Sequence, residues 1–75
     1  MTKSKNKIAL YKMVWCKIRY YQQLHDLSNK DLAEFLGVSE RTLLEYDKSA
    51  KNITLGKVES FLLSENLEIN ELLTL

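Results

Sequence analysis

An all-α fold built on a helix-turn-helix follows from three observations. The chain of 75 residues has no proline and only two glycines, which favours helices with short connections over a strand-rich fold. Apolar residues recur at three- and four-residue steps along most of its length. The stretch 28–47, SNKDLAEFLGVSERTLLEYD, reads as two short helices joined by a tight turn.

Taken in order, residues 1–6 carry no periodic signal and read as disordered. From 7 to 25 the residues Ile8, Tyr11, Val14, Trp15, Ile18, Tyr21 and Leu24 form one apolar stripe, predicting a long amphipathic first helix with Lys12, Lys17, Arg19 and Gln23 largely off it. Cys16 is expected in the core of that helix. Asp26-Leu27-Ser28 makes the first turn. Ser28 caps a second helix over 29–36, with Asp31 as an acidic partner at its positive end. Leu32, Phe35 and Leu36 supply its apolar face, and the small Ala33 lets another helix cross closely. Gly37 stops it, because a residue without Cβ reaches the left-handed conformation at little cost. Val38 follows, Ser39 caps a third helix over 40–47, and Leu43 and Tyr46 face inward. Residues 48–53 form a polar loop. A fourth helix over 54–65 is expected to bury Leu55, Val58, Leu62 and Phe61, with Gly56 weakening its first turn and Asn66 ending it. A short fifth segment, 69–73, closes the core with Leu67, Ile69, Leu72 and Leu73. The expected organisation is a flexible basic tail over 1–7 and a single domain over 8–75.

The motif LAEFLGVSERTL, with a basic-asparagine pair (Lys51, Asn52) and two further helices downstream, resembles the helix-turn-helix core of the Cro/C1-type, or Xre, repressor family. The resemblance covers roughly residues 24–73. It implies a five-helix, lambda-repressor-like domain with a first helix longer than usual, and a small regulator of phage, plasmid or bacterial origin. The family often places an arginine near the end of the first helix. Gln22 stands there in this sequence, and Arg19, one turn earlier, is the available substitute.

Composition narrows the alternatives. An apolar content of 45% and a charged content of 28% suit a small globular domain rather than a disordered chain. There is no apolar run of membrane-spanning length and no secretory leader pattern, and one cysteine cannot form an internal disulfide. The reducing cytoplasm of a bacterial cell is the expected location, on the nucleoid when bound to DNA. The net charge is only +1, but residues 1–19 hold six cations and no acid, whereas residues 20–75 hold five cations and ten acids. The basic segment is either a phosphate-touching arm or a solvated tail.

Signals for catalysis, metals or cofactors are weak. His25 is a lone histidine at a helix end, the acids lack metal-ligand spacing, and no glycine-rich loop cradles phosphate. Trp15 and Tyr21 fall on the core stripe, which argues against a stacking platform with Tyr20. No enzyme, cofactor or small-molecule substrate is expected.

The outward face of the third helix is the expected reader of double-stranded DNA: Ser39, Glu40, Arg41, Leu44, Glu45 and Lys48. Arg41 suits guanine O6 and N7, Glu40 or Glu45 a cytosine amine, and Leu44 a thymine methyl. The resemblance places phosphate contacts at Asn29, Lys30, Lys48, Lys51 and Asn52. A homodimer would set two such helices in successive major grooves of an operator, paired through residues 67–75 or the exposed side of the first helix. With Glu40, Glu45 and Asp47 set against Arg41 and Lys48, however, the face reads acidic to neutral around a central Leu44. That pattern also fits a protein partner, as in an antirepressor or modulator that binds a partner repressor.

Overall fold

The computed structural model describes residues 7–75, so the expectation for the first six residues lies outside it. Five helices follow one another: α1 (Leu10–Leu24), α2 (Asn29–Leu36), α3 (Glu40–Lys48), α4 (Leu55–Ser64) and α5 (Ile69–Leu73). No strand occurs among the described residues. The expected limits of α2 and α5 coincide with the observed ones, and α3 runs one residue further than expected. Helix α4 starts at Leu55 because Thr54 is its cap, with the Lys57 N–H donating to Thr54 Oγ1 at 3.2 Å.

Helix α1 begins at Leu10 rather than residue 7. Its cap position, Ala9, offers no side-chain acceptor, and its first turn contains no acid to complement the positive helix end. A lysine at residue 7 would sit against that same positive end, so the helix starts after it.

Three junctions share one construction. Asp26, Gly37 and Asn66 adopt left-handed conformations, with φ of 52°, 76° and 54°. After each comes an apolar residue whose N–H reaches back five positions: Leu27 to the Gln22 carbonyl at 3.0 Å, Val38 to Ala33 at 3.0 Å, and Leu67 to Leu62 at 2.9 Å. Each of these apolar residues packs on the core. The third residue of each junction, Ser28, Ser39 or Glu68, sits at the N-cap position of the next helix. Helix end, core anchor and helix start are thus encoded in three consecutive residues.

Every helix contributes at least one fully buried side chain: Ile18 from α1, Leu32 and Leu36 from α2, Leu43 from α3, Phe61 from α4 and Leu72 from α5. Edge-to-face aromatic contacts join Trp15 to Tyr46, with centroids 5.1 Å apart, and Tyr21 to Phe61 at 5.5 Å. Helix α4 also satisfies the carboxyl end of α2. The Ser60 hydroxyl donates to the Phe35 carbonyl at 2.7 Å, and Lys57 Nζ donates to the Gly37 carbonyl at 3.1 Å, placing a cation at the negative end of that helix.

The burial pattern corrects several expectations. Cys16 is exposed, not core, because α1 buries the face carrying Val14, Trp15, Ile18 and Tyr21, and Cys16 lies away from it. Ile8, which precedes the helix, and Tyr11 and Leu24, near its two ends, are exposed as well. Leu55 is 84% exposed although its spacing to Val58 and Leu62 suggested burial. Helix α4 is centred on Val58 and Phe61, which leaves its first residue in solvent. Ile69 is exposed, while Leu67 and Leu73 are half-buried against the core.

Candidate nucleic-acid interface

Helix α3 is held by its inner face. Leu43 is fully buried and Tyr46 nearly so, and Ala50 anchors the chain just past the helix end. Its start is capped by Ser39, whose Oγ accepts the Thr42 N–H at 3.2 Å and lies 3.0 Å from the Thr42 hydroxyl. The opposite stripe, Arg41, Leu44, Glu45 and Lys48, follows at steps of three, one and three residues and is exposed throughout, as is Glu40 in the first turn. Leu44 at its centre is 55% exposed. Just beyond, a tight turn closed by the Ile53 N–H on the Ala50 carbonyl at 3.0 Å presents Lys51 and Asn52 at its tip. Asn29 and Lys30 open α2, both exposed. All ten residues expected at the interface are therefore at the surface.

Sequence reasoning missed the cluster that braces this arrangement. Arg19 donates from Nε to Asp47 Oδ1 at 3.0 Å and from a terminal nitrogen to Oδ2 at 2.8 Å. The Trp15 indole N–H donates to the same Oδ1 at 2.9 Å, and the Arg19 guanidinium stacks 5.3 Å from the Trp15 ring centroid. The other terminal nitrogen of Arg19 donates to Gln22 Oε1 at 2.6 Å and to Asn29 Oδ1 at 2.7 Å, while Gln22 Nε2 donates to Asn29 Oδ1 at 3.0 Å and to the Leu27 carbonyl at 3.1 Å. With its carbonyl oxygen occupied twice, Asn29 is held with its amide NH₂ as the remaining donor.

This cluster ties α1 to the first residue of α2 and to the carboxyl end of α3. It also changes the charge reading. Asp47, counted as an acid of the α3 face, spends its charge on Arg19. Hydrogen bonds from Arg19 hold its carboxyl below the usual carboxylate range, partly opposed by burial and assisted by Trp15. The outward face of α3 then carries two cations (Arg41, Lys48) against two carboxylates (Glu40, Glu45), with Lys30 and Lys51 flanking it. The available signal was Arg19 itself, a late cation on α1 with an indole N–H one turn before it and a glutamine one turn after.

Elsewhere, Tyr21 donates to Glu65 Oε1 at 2.9 Å, and burial followed by that carboxylate pushes its hydroxyl up to about 12. Tyr46 is raised too, first by burial and then by neighbouring Glu45. Among the described residues no group of three or more His, Cys, Asp or Glu side chains is placed to hold a metal ion, and no helix is long and apolar enough to cross a membrane.

Five helices, with α2 and α3 joined through Gly37, Val38 and Ser39, define a small helix-turn-helix fold. Over 32 residues the chain is 47% identical to an uncharacterized HTH-type transcriptional regulator of Methanocaldococcus jannaschii. The match covers 43% of this chain and 48% of that regulator, so the aligned segment spans about half the regulator's length. No protein-family model matches the chain, and no solved structure matches it.

Proposed function

We propose that this protein is a sequence-specific DNA-binding transcriptional regulator, a small repressor of Cro/C1 type that reads the major groove with α3 as one domain over residues 8–75. The observation that carries this reading is the Arg19 cluster. It sets the outward stripe of α3 and the Asn29 amide on one braced frame, so base-facing and phosphate-facing donors keep a constant spacing. The similarity to an HTH-type transcriptional regulator supports the same reading. Arg41 would address guanine, Leu44 a thymine methyl, and Glu40 or Glu45 a cytosine amine. Asn29, Lys30, Lys48, Lys51 and Asn52 would meet phosphates. No catalysis or cofactor enters this reading. Two copies on a near-palindromic operator would hold their α3 helices about 34 Å apart. Such a regulator works in the cytoplasm, on the chromosome when bound.

Titration of random-sequence duplex and of fragments from the protein's own locus, at two salt concentrations, tests the reading. The expected result is binding that weakens by about 0.9 logarithmic units per phosphate contact for each tenfold rise in salt, with one fragment preferred. Absence of binding at low salt would sink it.

Leu44 supports a second reading. A leucine 55% exposed at the centre of a mixed-charge face also fits a protein contact, which would make the domain an antirepressor or modulator acting on a partner repressor.

A further inference from the structure

We propose that the groove between the first half of α1 and the carboxyl end of α3 seats a phosphate of the DNA backbone, held by Lys12 together with Lys48. The proposal rests on the DNA reading above and gives α1 a contact of its own. Trp15 sets the geometry. Its ring meets Tyr46 edge to face at 5.1 Å and its indole N–H donates to Asp47 Oδ1 at 2.9 Å, so α1 lies alongside the end of α3. Lys12 stands three residues before Trp15, on the same side of α1. The space between the two helices, about 290 Å³, has Trp15 and Tyr46 as its buried floor. Tyr11, Lys12, Cys16, Lys48 and Ser49 form its exposed rim.

The charges on this groove suit an anion. Asp47, the one carboxylate that lines it, is already held by Arg19 through bonds of 3.0 and 2.8 Å. Among the lining residues Lys12 and Lys48 are then two cations with no remaining counter-charge. The negative end of α3 opposes them with only about half a charge. Ser49 Oγ accepts the Lys51 N–H at 3.4 Å, so its own proton is left to be donated. The same bond joins the groove to the turn that carries Lys51 and Asn52, so it opens beside the other phosphate-facing donors. Of the cations on α1, Arg19 is engaged by Asp47, and Lys17 Nζ donates to the Leu75 carbonyl at 2.6 Å. Lys12 is the one that faces the groove.

Two readouts test the proposal. The first is the salt dependence of binding to random-sequence duplex. Lys12→Gln should lower the slope by about 0.9, the value of one phosphate contact, and weaken binding to all sequences alike. Lys17→Gln removes the same charge from a lysine tied to the Leu75 carbonyl and should leave the slope unchanged. The second readout uses Cys16, the chain's single cysteine, exposed on the groove. With duplex at about ten times its dissociation constant, alkylation of Cys16 by iodoacetamide should slow about tenfold. Circular dichroism checks that both variants keep their helices. An unaltered slope for Lys12→Gln, an equal loss for Lys17→Gln, or a Cys16 that alkylates at the DNA-free rate each overturns the proposal while wild-type binding, and with it the DNA reading, stands. Wild-type protein that binds no duplex at low salt overturns both.

Discussion

Arg19 and Asp47, 28 positions apart, meet fork to fork through two charge-assisted hydrogen bonds of 3.0 and 2.8 Å. The pair joins the middle of α1 to the penultimate residue of α3, and the Trp15 indole shares the same carboxylate. A bidentate pair fixes orientation as well as distance, so it determines how α3 is rolled on the rest of the domain.

Because the Asp47 carboxyl titrates below its unfolded range, its contribution is present above about pH 4 and lost as pH falls through the folded value. Asp47→Asn should lower stability at neutral pH by about 1 kcal/mol, a figure discounted for solvent screening of a partly exposed pair. It should also flatten the decline of melting temperature below about pH 4. A variant whose acid limb matches the wild type would mean that Asp47 is not the group responsible.

Tyr21 has the opposite sign. Its folded hydroxyl titrates at about 12, above the unfolded value near 10, so its contribution is complete below about pH 10 and disappears as pH rises towards about 12. Tyr21→Phe should cost about 1 kcal/mol at neutral pH through the lost bond to Glu65, and should make melting temperature less sensitive to alkali. An alkaline limb as steep as the wild type's would assign the effect to other groups.

At Gly37 the strain is in the backbone. A Cβ built there meets nothing nearer than Lys57 Nζ at 3.8 Å, but φ is +76°. Gly37→Val should therefore destabilise by about 2 kcal/mol, and Gly37→Asn by less than about 1, since asparagine tolerates the left-handed region as Asn66 does in this chain. Equal melting temperatures for the two variants would move the cause away from φ.

Arg41→Ala should weaken operator binding by about 1–3 kcal/mol and relax discrimination at one base position. Its melting temperature should stay put, because Arg41 is exposed. Unchanged operator affinity would remove Arg41 from the readout.

Leu44→Asp addresses the second reading. The exposed site should keep stability within about 0.5 kcal/mol of the wild type. If the domain modulates a partner repressor through α3, co-sedimentation with that repressor should be abolished. Partner binding that survives the change would exclude α3 as the contact.

The helices were legible in the sequence because their ends are local. Ser28, Gly37, Ser39, Thr54 and Asn66 announce starts and stops with side chains that act within a turn of their own position. Burial was less legible, because periodicity locates an apolar stripe and not the elements that cover it. Leu55, Leu24 and Cys16 lie on or beside such stripes and still face solvent. The brace on the candidate site was hidden for a related reason. The residue types of Trp15, Arg19, Gln22, Asn29 and Asp47 say nothing of one another, and only the packing of three helices brings them together.

The three junctions at Asp26, Gly37 and Asn66 leave the chain no slack in length. A helix turns by about 100° per residue, so one residue added between an anchor such as Val38 and the helix it precedes would roll that helix by more than a quarter turn. In α3 this would carry Leu43 out of the core and Arg41 off the outer stripe together. At these three junctions the protein should tolerate an inserted or deleted residue far less readily than its outer faces accept new side chains. A library randomised at 40, 41, 44, 45 and 48 would thus vary what the surface says while each junction keeps the domain in phase.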